Sequence, residues 1–226
     1  MHETPPTTVA LIRAEILPGV WLDARRALWL AASRRLVVAD LHWGYATAHQ
    51  ARGNLLPQWG DGELDATLRS LVADYAPAEM IWLGDVVHAA EGAAAAERFL
   101  ATAPVTVTVL AGNHDRRWRG AARRTLAADG FFFHHGDLAP PVPPAHVEVC
   151  GHHHPAAVLV DGVGGRVKLP VLVATPRRLI LPAFSPWAGG APWTPVGAAS
   201  ETLWVVARNR IFSLPRPPVP ATLAVR

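Results

Sequence analysis

Short apolar runs alternate with helical patterns over the first two-thirds of the chain. Residues 36–39, 80–83 and 105–110 are apolar runs of the length expected for buried strands. Between them, residues 60–75 and 93–101 carry apolar side chains at helical spacing. Because strands that alternate with helices form βαβ units, this pattern predicts parallel strands.

Strand-like patterns without helices lie on both sides of this segment. Residues 8–30 alternate between apolar and polar and contain turn residues, which predicts short antiparallel strands. From Ala156 onward the chain consists of short β-rich pieces, which predicts a second sheet packed on the first. We expect a single domain over residues 1–226, with a Pro-rich and flexible C-terminal tail from about residue 214.

Composition narrows the class of protein. Half of the 226 residues are hydrophobic, which is enough to build a sizeable core, and only 17% are charged, which excludes disorder driven by charge. No apolar run reaches the roughly 18 residues of a membrane-spanning helix, and the first residues lack the pattern of a signal peptide. A single cysteine, Cys150, cannot form an internal disulfide. We therefore expect a cytoplasmic protein with no membrane partner.

Side chains that can bind metal follow the predicted strands at five places along the sequence. In open α/β sheets, functional groups gather in the loops at the carboxyl ends of strands, so we expect these five places to meet at one edge. The candidate residues are Asp40 and His42, Asp85, Asn113 and His114, His134 and His135, and His152 and His154.

The donor types in this set point to a particular kind of metal chemistry. Carboxylates, imidazoles and an amide oxygen, without a thiolate, suit Mn²⁺, Fe²⁺ or Zn²⁺ rather than a structural thiolate zinc. Even if two of these nine residues are not ligands, the remaining seven are too many for one ion but fit two ions that share a bridging carboxylate. Two adjacent divalent ions form the clamp that phosphoryl-transfer chemistry needs.

The five places form the ordered motifs D-x-H, G-D, G-N-H-D, H-G and G-H-x-H. This set resembles the calcineurin-like metallophosphoesterase superfamily. Residues 40–45, 84–88 and 151–155 are similar to the bacterial ligase-associated DNA-damage-response endonuclease branch of that superfamily. The resemblance implies a hydrolase of the α/β class, folded as a four-layer α/β/β/α sandwich of two mixed sheets.

The resemblance also implies a role for each motif residue. Asp85 would bridge two divalent ions, with Mn²⁺ favoured for activity. His114 would act at the phosphate or the leaving-group oxygen, and His88 would steady the phosphate. The fourth motif leaves either His134 or His135 as its ligand; we assign the metal to His135 and a structural role to His134. The implied ligands are Asp40, His42, Asp85 and His154 for one ion and Asp85, Asn113, His135 and His152 for the other.

An arginine cluster follows the third motif directly. If this segment is helical, its side chains fall within an arc of roughly 160°. They then either contact a phosphate backbone beside the metals or form a solvated face in an arginine-biased chain, and the sequence leaves both open. The cluster consists of Arg116, Arg117, Arg119, Arg123 and Arg124, of which the first three are our candidate substrate-binding residues.

The function expected from these observations is hydrolysis of a phosphodiester in DNA by a metal-dependent nuclease that serves DNA repair. One alternative is a phosphodiesterase for a small substrate such as a cyclic nucleotide or a nucleotide conjugate. A second alternative is a weakly active, metal-bound repair scaffold that contacts ligase or helicase partners.

Overall fold

The computed structural model describes residues 11–57, 59–194 and 200–216. Within these ranges the chain forms two β-sheets that pack face to face, with helices against the outer face of the first sheet. The α-helices are α1 (Tyr45–Gln50), α2 (Gly60–Tyr75) and α3 (Ala90–Thr102).

The first sheet contains six strands in chain order. They are β1 (Arg13–Leu17), β2 (Val20–Asp23), β3 (Ala27–Leu30), β4 (Arg35–Val38), β5 (Glu79–Trp82) and β6 (Thr106–Val109). Strands β1 to β4 pair antiparallel through short turns. Strands β4, β5 and β6 pair parallel, because α2 and α3 carry the chain back between them. Both arrangements confirm the sequence-based predictions.

The second sheet is larger and is built from the remaining strands. They are β7 (Thr125–Ala128), β8 (Phe131–His134), β9 (Val147–Cys150), β10 (Pro155–Val160), β11 (Arg166–Thr175), β12 (Arg178–Ile180), β13 (Ala191–Pro192), β14 (Glu201–Ala207) and β15 (Arg210–Arg216). The main path runs β13-β10-β11-β12-β9-β8-β7, and β14 pairs with β11 and β15. Parallel pairing of β8, β9 and β12 brings their carboxyl ends to one edge.

Successive side chains of a strand point to opposite faces of the sheet, so the apolar side chains are divided between two layers. In the first sheet, Val37 and Ile81 face the second sheet, whereas Met80 and Trp82 face the helices. Leu68 of α2 is fully buried in the helical layer. Burial of each such side chain contributes about 1.5–3 kcal/mol, so the two layers hold the parallel strands rigidly under the loops that follow them.

The prediction of two mixed sheets is confirmed, and α2 spans the residues predicted for it. Helices cover only one of the two outer faces in the described part of the chain, because the connections after β7 are turns and loops. The strand β15 continues through Arg216, past the predicted start of the tail, and residues 217–226 lie outside the described residues. Within those ranges no helix has both the length and the apolar character needed to cross a membrane.

The arginine cluster does not lie on an α-helix, so the condition for the arc of roughly 160° is not met. Only Asp115–Arg117 form a 3₁₀ turn, and the chain then runs irregularly to β7. Trp118 is buried in the helical layer and interrupts the run of exposed arginines. Burial of this large ring offsets the helical tendency of its neighbours.

Candidate metal centre

The first two motifs are held side by side by an extension of the β4–β5 pairing. The amide of His42 donates to the carbonyl of Asp85 at 2.8 Å, and the amide of Trp43 donates to the carbonyl of Val86 at 2.9 Å. Backbone pairing therefore fixes the relative positions of the two motif loops beyond the ends of the strands.

The first group of donors joins the first, second and fifth motifs. The donor atoms of Asp40, His42, Asp85 and His154 all lie within 4.8 Å of one another. Nε2 of His154 is 3.4 Å from Oδ1 of Asp40 and 3.4 Å from Nε2 of His42. Nε2 of His42 lies 3.8 Å from Oδ2 of Asp85.

The second group lies on the other side of Asp85. Nε2 of His135 is 3.4 Å from Oδ1 of Asp85 and 3.2 Å from Nδ1 of His152. Oδ1 of Asn113 lies 3.1 Å from the same Nε2 of His135. Asp85 thus presents one carboxylate oxygen to each group, which is the arrangement expected of a bridging ligand.

The structure places His135, and not His134, among these donors. Nδ1 of His135 lies 2.7 Å from the backbone carbonyl of Leu83, so it carries the proton and donates it. Its Nε2 is then left as a lone pair that faces Asp85 and Asn113. The ring of His134 points elsewhere and lies 2.8 Å from Oε1 of Glu148.

The charge balance of the centre is unusual for a protein interior. Asp40 and Asp85 are 0% and 2% exposed, yet neither pairs with a lysine or an arginine anywhere in the described part of the chain. Buried carboxylates with only imidazole neighbours leave negative charge uncompensated, which is costly. Divalent cations would supply the missing positive charge.

The spacing of the donors also fits metal ions. An ion held at about 2.0–2.2 Å by a tetrahedral set separates neighbouring donors by roughly 3.3–3.6 Å. The contacts of His154 with Asp40 and of His135 with Asp85 lie in this range. Donor types, charge and spacing therefore all suit divalent ions.

The protonation states favour coordination by neutral imidazoles. Burial lowers the pKa of His42 to about 3, so its ring is neutral near pH 7. Burial also raises the pKa of Asp85, as expected for a carboxylate without a cationic partner. The pKa of His154 is raised because the hydrogen bond and charge of Asp40 outweigh the effect of burial.

Five of the implied ligands adopt left-handed backbone conformations that side-chain-bearing residues rarely occupy. Their φ angles are +56° at Asp40, +51° at His42, +48° at Asp85, +67° at His152 and +43° at His154. Such conformations cost on the order of 1 kcal/mol or more each and persist where the surrounding structure imposes them. They turn the chain sharply at the strand ends, so that the donors point inward.

Two motif glycines allow the loops to approach the carboxylates closely. A Cβ atom on Gly112 would stand 2.3 Å from Oδ1 of Asp85, and one on Gly151 would stand 2.6 Å from Oδ2 of Asp40. Any side chain at either position would displace a donor. The glycines of the third and fifth motifs are thus required by packing against the centre.

Asp115 is a functional residue that the sequence reasoning missed. Its carboxylate accepts hydrogen bonds from the amides of Val86 and Gly112 at 2.7 and 2.8 Å. It therefore ties the loop after β5 to the loop after β6 and fixes the position of Asp85 relative to Asn113. The sequence feature that could have pointed to Asp115 is its place as the fourth residue of the G-N-H-D motif.

The candidate catalytic and substrate-binding residues border one cleft beside the donors. The cleft has a volume of about 330 Å³, and its lining includes His88, His114, Arg116 and Arg117. The rings of His88 and His114 stack at 5.8 Å with an angle of 18°. Both arginines, and Arg119 nearby, are exposed and form no ion pair within the described ranges. Two groups of candidate metal ligands thus lie beside a cleft whose lining includes two exposed arginines.

Comparison with known proteins adds a family and a structural relative. The sequence model of the calcineurin-like phosphoesterase family matches residues 33–157. Among solved structures, the chain is similar to nuclease MPE of Pseudomonas putida, with 27% sequence identity and a TM-score of 0.68. That alignment covers 91% of this chain and 100% of the nuclease. No curated protein sequence matches the chain.

Proposed function

The chain belongs to the calcineurin-like phosphoesterase family and is a metal-dependent phosphoester hydrolase; from this premise we propose that it is a nuclease that cleaves phosphodiesters in DNA with two divalent ions. The observation that carries the proposal is the position of Asp85 between two donor groups. The similarity to a solved nuclease supports nucleic acid as the substrate.

The candidate ligands fit two divalent ions of the kind that prefers oxygen and nitrogen donors. One site would be formed by Asp40, His42, Asp85 and His154, and the other by Asp85, Asn113, His135 and His152. The mixture of carboxylates, imidazoles and an amide is compatible with Mn²⁺, which we propose as the activating ion, and with Fe²⁺ or Zn²⁺. When bound, the ions would activate water and neutralise charge on the phosphoryl oxygens.

His114 and His88 supply the protein's own chemistry at the phosphate. The backbone amide of His114 donates to Oδ1 of Asp85 at 2.9 Å, which holds its ring over the cleft. From there His114 can give a proton to the departing oxygen. His88 lies beside it and can donate a hydrogen bond to a non-bridging oxygen.

Arg116, Arg117 and Arg119 are proposed to hold the phosphates that flank the scissile bond. Guanidinium groups bind phosphate in a bidentate manner, and these three have no competing carboxylate in the described structure. Their contribution should be visible in the salt dependence of DNA binding. Each lost contact should reduce the slope of log affinity against log salt by roughly 0.7–0.9.

The size of the cleft supports one alternative substrate. A volume of about 330 Å³ lies at the lower end of the range for small-molecule pockets, so a small phosphodiester would also fit beside His88 and His114. Such a substrate would not extend to Arg119. The contribution of that arginine therefore separates the two functions.

The decisive experiment compares both substrates on the same protein. The Mn²⁺-loaded chain is assayed on single-stranded DNA and on a small aryl phosphodiester, with and without the substitution Arg119→Gln, which lies outside the cleft lining. We expect this variant to lose DNA affinity and salt dependence while cleavage of the aryl ester changes little. Equal loss on both substrates, or no loss on DNA, would contradict the DNA assignment.

The cellular setting that we propose is DNA repair in the cytoplasm, beside ligase or helicase partners. A catalytic role and a scaffold role make different predictions for Asp85→Asn. In cells that lack the protein, this variant should fail to restore resistance to DNA damage if hydrolysis is needed. Full restoration by the inactive variant would favour the scaffold.

A further inference from the structure

Aromatic rings continue outward from the metal centre in a column whose outer members, Tyr45 and His49, are not used by the proposed function. Tyr45 and His49 lie one helical turn apart on α1, and their rings stack at 4.4 Å with an angle of 21°. The ring of His88 lies on Tyr45 at 4.5 Å with an angle of 45°. His88 in turn stacks on His114.

The backbone fixes the place where this column begins. The amide of His88 donates to the carbonyl of Trp43 at 2.9 Å, so the second motif runs directly beside the start of α1. The amide of Gly44 donates to the carboxylate of Asp61 at 3.0 Å, which holds that end of α1. These two hydrogen bonds fix the start of α1 and thereby place the ring of Tyr45 next to the ring of His88.

Tyr45 lies outside the cleft and is connected to it through a neighbouring ring. The rings of His49 and His88 both pack against the partly exposed tyrosine ring, and Nδ1 of His49 lies 3.2 Å from Nδ2 of Asn54. On the side of the centre, Tyr45 is 4.5 Å from His88 and 6.4 Å from the implied ligand His42. Of these two histidines, His88 lines the cleft, so it is the neighbour through which Tyr45 can influence the phosphate.

His88 depends on packing for its orientation. Its Nδ1 atom is buried and has no hydrogen-bond partner among the described residues. Catalytic histidines are usually oriented by a hydrogen bond to the second ring nitrogen, and that restraint is missing here. We infer that Tyr45, backed by His49, is a positioning residue that holds the His88 ring against the cleft. This inference rests on the proposed role of His88 at the phosphate.

A double-mutant cycle on the full-length, Mn²⁺-loaded protein tests this inference. Turnover of the aryl phosphodiester is measured for His88→Ala, Tyr45→Leu and the double variant. We expect His88→Ala to lower kcat about 100-fold and Tyr45→Leu to lower it about 10-fold. The double variant should be no worse than His88→Ala alone, because Tyr45 acts only through that ring.

Conservative and neighbouring variants serve as controls. Tyr45→Phe keeps the ring and should retain kcat, whereas Thr47→Ala changes an exposed residue of the same helix and should have no effect. Metal content should stay at the parent value in all of them. KM should also stay unchanged, because Tyr45 does not touch substrate.

The outcomes separate this inference from the proposed function. Additive losses in the double variant, or an unchanged kcat in Tyr45→Leu, would overturn the positioning role while the role of His88 stands. Full activity in His88→Ala would overturn both. Loss of metal in Tyr45→Leu would show that α1 supports the ligand loops instead, and would likewise overturn the inference.

Discussion

Among the residues that the structure describes, there are two clusters of metal-binding residue types, and one of these two is arranged for metal. In the second cluster, which we call the β8–β9 cluster, donor atoms of His134, Glu148 and Cys150 also lie within 4.8 Å of one another. It differs in having its own cation: Nε of Arg178 lies 3.1 Å from Oε2 of Glu148. A carboxylate already paired with a guanidinium has little need of a metal ion, whereas Asp40 and Asp85 have no such partner among the described residues.

The two clusters differ in the state of their donors as well. Burial raises the pKa of the Cys150 thiol to about 12, so the thiolate that would bind metal is not formed near pH 7. In the metal centre, burial keeps His42 neutral and ready to coordinate. Proximity of ligand-type residues is therefore a weak criterion for a metal site. Charge balance and the protonation state of the donors distinguish a metal site from a structural cluster.

The strongest test of this contrast is removal of one carboxylate from each cluster. Asp85→Ala should remove both ions together and abolish hydrolysis, because Asp85 lies in both donor groups. Glu148→Gln should leave metal content and turnover at the parent values. Elemental analysis measures the metal content and an activity assay measures turnover. An active Asp85→Ala protein that retains one ion would refute the bridging role.

Substitution of one histidine near the metal centre and of one in the β8–β9 cluster should give the next largest difference in turnover. His114→Ala should lower turnover roughly 10²–10⁴-fold with metal content preserved, because a general acid is lost. His134→Gln, in the β8–β9 cluster, should change turnover little. Partial recovery of the His114→Ala variant on a substrate with a very acidic leaving group would sharpen the assignment. Loss of metal would instead make His114 a ligand.

The metal-free protein should become less stable as the pH falls below 6.5. The unfolded chain protonates His42 near its ordinary pKa of 6.5, whereas the folded protein resists protonation down to about 3. The unfolded state therefore binds more protons in this window, and the free energy of unfolding decreases with acidity. Urea denaturation at pH 7 and pH 5 should show this, and His42→Gln should flatten the slope. If the free energy of unfolding of His42→Gln depends on pH as steeply as that of the parent protein, His42 is not the source of the pH dependence.

The β8–β9 cluster should contribute stability instead of catalysis. The pKa of Glu148 is lowered: burial acts in the opposite direction, but the hydrogen bond with His134 and the charge of Arg178 outweigh it. Its contribution is present above the ordinary pKa of 4.5 and is lost as the pH falls through the lower folded value. Glu148→Gln should reduce the free energy of unfolding by about 1–3 kcal/mol at pH 7. Denaturant titration checks this.

The smallest effect is expected at Cys150. The buried, protonated thiol should not react with iodoacetamide in the folded protein and should react fully in denaturant. Cys150→Ala should leave turnover unchanged. Mass spectrometry after alkylation gives the answer, and rapid modification of the native protein would mean that the β8–β9 cluster opens to solvent.

Sequence patterns predicted the parts of the molecule that depend on local periodicity. Helix α2 and the strands β4 and β5 follow directly from their apolar spacing, and the motif residues were expected where these strands end. Helix α1 was missed because its six residues contain no apolar repeat. Its position is set by contacts with the second motif and α2, which are distant in sequence.

The site shows the same division between local and long-range causes. The donor types and their order were visible in the sequence, and so was the preference for His135. The left-handed backbone at Asp40 and Asp85 was not, because aspartate adopts a positive φ more often than most residues but still only at a small fraction of its positions. The hydrogen bond of Asp115 to the amide of Val86 in the loop after β5 was also not visible, because only the folded arrangement brings that amide to the loop after β6.

The left-handed ligand residues place folding and catalysis under opposing selection. Glycine accepts a positive φ without the steric penalty that aspartate and histidine carry. A lineage that no longer needed hydrolysis could replace Asp40 or His154 by glycine and relieve local strain in doing so. The same turns thus supply the candidate metal donors and limit the stability of the local backbone, so a substitution that improves one of these properties impairs the other.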